Sequence, residues 1–241
     1  MILIDGFLRS RLKPSEPSSS VWNWTMVVKM SWFDRFFSST GADENRWIVL
    51  DVETSGLDPY RDRLLAIAAL AIQVDHAKQK ITLDLSDSFE AVLRQDEVSD
   101  KDNILLHGIG AHAQRSGQDP VLVLSQFRDW VGNSPLFAFH AAFDEAMIQR
   151  AYQYFVGKKI KNLWIDIEPL AAASYPQIKA RTLDQWMAYF GIQCAVRHQA
   201  AADTFATAEL LMQIWPQLRP LASNCRALSH LARQSRWIPR T

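Results

Sequence analysis

The chain has 241 residues, of which 48% are hydrophobic and 22% charged, with 26 Lys and Arg balanced by 26 Asp and Glu. That length suits one domain with a sizeable core plus a terminal appendage, and zero net charge argues against a protein that only clamps nucleic acid, which is usually basic. Neutrality is compatible with an enzyme whose acidic centre offsets a basic binding surface.

Residues 1–45 differ from the rest. Pro14 to Ser20 is a polar Pro/Ser-rich run that builds no core, and an aromatic-rich stretch follows it. We read 1–45 as an N-terminal extension, flexible or docking, and partly non-native if translation starts at Met30, where Ser31–Phe37 would open a short amphipathic helix. The intact mass of natively expressed protein tests that start.

From Arg46 the pattern sharpens. Trp47-Ile48-Val49-Leu50 is a short apolar run ending in acidic residues, as expected of a buried strand. Leu64–Val74 and Lys80–Leu93 give two more strands joined by a turn. Pro120–Val131 has helical spacing, with Val121, Leu124, Phe127 and Val131 on one side. Leu136–Phe139 is a strand leading into a helix from Phe143, and Leu163–Ile165 a fifth strand leading into a helix near Asp166. Thr182-Leu183 opens another helix, and Gln199–Trp215 is Ala/Leu-rich and helical in propensity. Three strands followed by alternating helices and strands imply an α/β fold around a central mixed sheet.

The segment 217–241 is a basic tail, bearing five arginines and no Asp or Glu, and is ordinarily a solvated face. The two cysteines, Cys194 and Cys225, form no Cys-x-x-Cys arrangement, which argues against structural zinc or a disulfide framework. There is no secretory signal and no apolar run long enough to cross a bilayer, so the expected location is the cytoplasm, without a membrane partner.

The chemistry lies in carboxylates. Asp51 and Glu53 stand two apart on one strand, which puts both on one face. Like charges side by side repel unless a cation lies between them, and oxygen ligands suit Mg²⁺ or Mn²⁺. The alternative is a strand leaving through a polar turn at Gly56. Asp144 stands where a helix begins, a position also favoured by the helix dipole. Asp203 lies among Ala200, Ala201 and Ala202, where an acid in a closely packed helix is costly unless neutralised. His198 precedes that helix.

Asp51-x-Glu53-Thr54-x-Gly56, then Phe143-Asp144, then His198-x-Ala200-x-x-Asp203 occur in this order. Over about Arg46 to Gln213 the chain resembles the DEDDh (DnaQ-like) 3′→5′ exonucleases, among them the proofreading epsilon subunit of bacterial DNA polymerase III. The resemblance implies a ribonuclease H-like fold, with a mixed five-stranded sheet flanked by helices, over an exonuclease domain at 46–216. It implies that Asp51, Glu53, Asp144 and Asp203 hold two divalent ions, Mg²⁺ or Mn²⁺, and that His198 is the general base. It also implies substrate contacts from Thr54, Leu57 (a wedge against the terminal base), His107, His140 and Phe143. His140 stands where many relatives have Asn.

The partner implied is nucleic acid with a free 3′ end, single-stranded, with a polymerase or another replication or repair protein as a further candidate. Thr54-Ser55-Gly56 is closer to the proofreading type than to oligoribonuclease, which tilts the expectation to DNA. The alternatives are an inactive nucleic-acid- or partner-binding module on the same fold and, lower, an endonuclease.

Overall fold

The structure, a computed structural model, describes residues 42–236. The Met30 start and the helix expected at 31–37 lie outside the described residues. The described residues open with an antiparallel meander of β1 (Arg46–Thr54), β2 (Leu64–Asp75) and β3 (Lys80–Val92). Three helices follow: α1 (Lys101–His107), α2 (Ala111–Arg115) and α3 (Pro120–Val131). The chain then alternates through β4 (Leu136–Ala138), α4 (Ala142–Val156), β5 (Trp164–Asp166) and α5 (Ile167–Ser174). It closes with α6 (Leu183–Phe190), α7 (Ala200–Leu218) and α8 (Cys225–Ser235). The sheet order is β3-β2-β1-β4-β5, with β4 parallel to β1 and β5 parallel to β4. This is the ribonuclease H-like mixed sheet that the resemblance implied.

Because strand side chains alternate, β1 feeds two cores. Ile48, Leu50 and Val52 face one packed by α3 and α4, whereas Trp47 and Val49 face one packed by α5, α6, α7 and α8. Asp51 and Glu53 continue the second row, so they point toward the α7 layer. In β2 the residues opposite them are Ala68 and Ala66. These methyl groups let α7 approach closely, and Thr204 Oγ1 donates to the Ala68 carbonyl at 3.1 Å. That bond seats the start of α7 directly beneath the acidic end of β1.

Local chemistry sets several boundaries. Thr182 caps α6 through a capping box with Gln185. Asp119 caps α3 by accepting from Val121 and Leu122, and Pro120 occupies the first turn, where its missing N–H costs nothing. Val121 is therefore exposed, and Val123 takes the inward place expected of it beside Leu124, Phe127 and Val131. The segment read as a basic tail contains α8, whose Cys225, Leu228 and Ala232 are buried in the α7-side core. None of the helices among the described residues is long and apolar enough to cross a membrane.

Candidate active site

Asp51 and Glu53 lie on β1 with their carboxyls under α7. Asp144 is buried in the first turn of α4, and Asp203 is buried in the first turn of α7. The parallel β1–β4 pairing covers only Ile48 and Val49, so β1 runs on past its neighbour. The freed Val52 backbone hydrogen-bonds the Asp144 carboxyl, which holds Asp144 within electrostatic reach of Asp51. Burial first, and then the neighbouring Asp203, push Asp51 up to about 8. Burial, Asp51 and Asp203 push Glu53 up to about 9. Asp144 is driven well above the usual carboxylate range by burial and by Asp51. Glu53 Oε1 is buried and has no hydrogen-bond partner. Four acids from three elements thus share one electrostatic site.

Asp203 differs in being already neutralised. Its Oδ1 accepts from the Arg197 guanidinium and from Cys194 Sγ, the latter at 3.6 Å, and its Oδ2 accepts the His198 backbone N–H at 3.0 Å. Arg197 also reaches Asp184 on α6, with Nε to Oδ1 at 2.6 Å. The His198 backbone is left-handed, with φ 60°, and its side chain is exposed and acts on Asp184. In this arrangement no group of three or more His, Cys, Asp or Glu side chains among the described residues stands ready to hold a metal ion. The donor chemistry nevertheless fits a hard divalent cation. The set is all carboxylate, three members are disfavoured as anions without a counter-charge, and one oxygen is buried without a partner.

The surrounding loops are ordered by their own side chains. Thr54 is buried and its hydroxyl donates to the Gly56 carbonyl at 2.7 Å. The Asp62 carboxylate accepts from Ser55 Oγ at 3.2 Å and from the Asp58 N–H at 2.8 Å, folding 55–63 on itself. A Cβ on Gly56 would meet Asp62 Oδ2 at 2.4 Å, so any larger residue there must push the Asp62 carboxylate aside. The loop presents Leu57, 86% exposed, and Tyr60, 88% exposed, with nothing covering them among the described residues. His107 is buried, with Nδ1 accepting from the Ile109 N–H at 2.9 Å and Nε2 bonded to Asn103 Oδ1 at 2.8 Å. Asn103 in turn donates to the Thr54 carbonyl at 3.0 Å, so His107 braces the β1 loop rather than lying open. His140 is exposed at φ 61°, its N–H held by Asp166 Oδ1 at 3.0 Å. That left-handed backbone favours Asn, and His is among the residues that tolerate it. Phe143 is half-buried one residue before Asp144.

A family model described as an exonuclease, of the RNase T type, matches residues 48–211. That span contains all four carboxylates and His198. The chain belongs to this exonuclease family, of the DEDD type. A DNA polymerase III of the PolC type from Bacillus subtilis is 31% identical over 173 residues, which is 71% of this chain and 12% of that protein. The chain therefore spans about an eighth of the curated relatives it matches. E. coli exonuclease I in complex with a dA16 oligonucleotide superposes with a TM-score of 0.58 at 16% identity, covering 72% of this chain and 42% of that one. The zinc-bound form of the exonuclease I–ssDNA complex gives a TM-score of 0.58 at 17% identity, over 74% and 42%. These two structures establish the shared fold.

Sequence reasoning about this exonuclease-family chain overlooked Arg197, Asp166 and Asn103. Arg197 adjoins His198, but its aim depends on the left-handed turn between them, which no local pattern announces. Asp166 was visible only as a strand-to-helix junction. It caps α5 and also holds His140 and Arg236.

Proposed function

We propose that the chain is a divalent-metal-dependent 3′→5′ exonuclease that removes nucleoside 5′-monophosphates from single-stranded nucleic acid, DNA in preference to RNA. The observation carrying this reading is the convergence of Asp51, Glu53 and Asp144, each pushed up by burial and by neighbouring acids, beside Asp203 in an exonuclease-family chain. Residues 46–216 carry the catalysis. Asp51, Glu53, Asp144 and Asp203 would hold two ions, Mg²⁺ or Mn²⁺. When bound, such a pair supplies an activated water and neutralises charge on the phosphate and leaving oxygen.

The chain's own residues do the rest. His198 takes the proton of the attacking water as the water oxygen bonds to phosphorus and the bond to the 3′ oxygen breaks. The remaining strand is left with a new 3′-hydroxyl. Leu57, uncovered at the loop tip, packs against the terminal base, Thr54 holds that loop's backbone, and Phe143 and His140 border the strand. His107 acts from beneath by fixing the loop through Asn103. That two exonuclease I structures contain single-stranded DNA supports an unpaired substrate, and the PolC-type relatives support a replication or repair partner.

One observation favours a second reading, a binding module without catalysis: both oxygens of Asp203 are held by the protein, and Arg197 supplies the counter-charge. Digestion of matched 5′-labelled DNA and RNA oligomers with Mg²⁺ or Mn²⁺, with Asp51→Ala as control, separates the two. A ladder shortening from the 3′ end and absent in the variant supports the exonuclease and ranks the sugars. No cleavage together with no Mn²⁺ binding by calorimetry supports the module.

A further inference from the structure

Away from the carboxylates, three separate segments build an open cleft of about 1070 Å³. Its cations are Arg128 from the end of α3, Lys159 and Lys161 from the loop after α4, and Arg226, Arg233 and Arg236 from α8 and its C-terminal end. Its acids are Glu145 and Asp166. Asp166 is paired with Arg236 at 2.7 Å, and Arg128 with Asp129 at 2.8 Å. Lys159, Lys161, Arg226 and Arg233 have no ion-pair partner among the described residues.

In a neutral chain this is a local excess of positive charge, and it is not the scattered pattern of a solvated face. On α8, Arg226 and Arg233 recur on one side and line the cleft, next to a buried stripe of Cys225, Leu228, Ser229 and Ala232. The lysine loop is held in place. Ile160, between the two lysines, is buried and exchanges hydrogen bonds with Gln149, its N–H to Oε1 at 3.1 Å and its carbonyl from Nε2 at 2.7 Å. Asn162 donates to the Gly132 and Ser134 carbonyls at 3.0 and 2.7 Å. Both lysines are thus carried on a fixed frame that is already ordered before any anion arrives.

The cleft also adjoins the first turn of α4, which carries Asp144. Ala141, Ala142 and Glu145 in its wall flank Asp144, and Asp166 in its wall holds the backbone of His140. The cleft is open, and its cations come from three separate segments and are spread along it, as suits a polyanion.

We infer that this cleft binds the sugar-phosphate backbone of the nucleic-acid strand several nucleotides from the end at the carboxylates. The inference rests on the exonuclease reading for its ligand, but its test is independent of cleavage. Binding of a fluorescent single-stranded DNA of about 16 nucleotides, long enough to fill a strand-binding site, is measured by anisotropy over a salt series in EDTA. The full chain is compared with a variant carrying Lys159→Glu, Lys161→Glu, Arg226→Glu and Arg233→Glu.

The variant is expected to bind at least about tenfold more weakly, with a salt slope flatter by roughly 0.7 for each phosphate that the protein no longer neutralises. Its hydrolysis of a dinucleotide, too short to reach the cleft, is expected to match the parent. Equal affinity and equal slope in the two proteins would overturn the inference, as would failure of the parent to bind the oligomer. A parent that binds but never cleaves, with binding abolished in the variant, would remove the exonuclease reading and leave the cleft's role standing. Matched unfolding midpoints in the two proteins verify that the variant is folded, and single reversals at Lys161 and Arg233 give the same comparison if it is not.

Discussion

Arg197 donates through its guanidinium to the buried carboxylate of Asp203 while holding Asp184 with its other nitrogens. The guanidinium thus provides, without a metal, the positive charge that offsets Asp203, while Asp51, Glu53 and Asp144 remain raised. Arg197→Gln leaves Asp203 buried without that charge, which costs about 1.5–3 kcal/mol, the range for a hydrogen bond to a charged group. Thermal unfolding is expected to show a lower midpoint for the variant in EDTA. The gap should narrow on adding Mn²⁺, because a cation at the carboxylates replaces the missing charge. An equal gap with and without Mn²⁺ would show that Arg197 has no part in balancing the site.

The pH dependence follows from Asp51 near 8 and Glu53 near 9 in the metal-free fold. Both values are raised above those of the unfolded chain. Their contribution to stability is full below about pH 4, where the carboxyls of either state are protonated, and is lost as pH rises through about 8 to 9. The metal-free midpoint should therefore fall between about pH 4 and pH 8 to 9 and level off above that, and Asp51→Asn with Glu53→Gln should flatten the fall. Divalent binding near neutral pH should release protons, read as a dependence of the calorimetric heat on the buffer's ionisation enthalpy.

His198→Ala is expected to lower turnover by about 10²–10⁴-fold, the range for general acid–base catalysis, with Mn²⁺ affinity nearly unchanged. Turnover equal to that of the parent would remove His198 from the reaction.

Gly56→Ala drives a methyl group into the Asp62 carboxylate, which must then release Ser55 and the Asp58 N–H. The effect should fall on the loop carrying Leu57, raising KM for oligonucleotides more than it lowers kcat. An unchanged KM would mean that the loop does not touch the substrate.

Ala68→Leu places a larger side chain opposite Asp51 in the seam between β2 and α7. Overpacking there costs about 1–3 kcal/mol and lifts the start of α7. Mn²⁺ affinity should drop along with the unfolding midpoint, and a drop in stability alone would show that Asp203 is positioned by something other than that seam.

Most of this architecture could be read from local pattern. The run before Asp51, the period of two, and the Ala-rich stretch around Asp203 specified β1 and α7 because burial on a sheet face and close helix packing leave those signatures directly in sequence. Asp51, Glu53, Asp144 and Asp203, which the structure brings to one electrostatic site, were singled out at strand and helix ends, and their grouping with His198 came from the order of motifs that resembles the DEDDh exonucleases. Short α1 and α2 were missed, since helices of one or two turns carry too few apolar positions to show a period. The helix α8 was obscured by its arginines, which conceal an apolar face of Cys225, Leu228 and Ala232. The bond between Arg197 and Asp203 was unreadable because it depends on a left-handed residue, His198, that nothing in the sequence requires. Convergence of Lys159, Lys161, Arg226 and Arg233 required knowing that α8 returns beside β5.

The seating of α7 under β1 has a consequence for synthesis. Among the described residues Asp51 belongs to the first strand to emerge and Asp203 to a helix that emerges only after the five strands, so a growing chain holds the first acids long before the last. An unfinished or clipped chain lacks the complete set. Any chemistry this centre performs thus requires a chain folded through at least the start of α7.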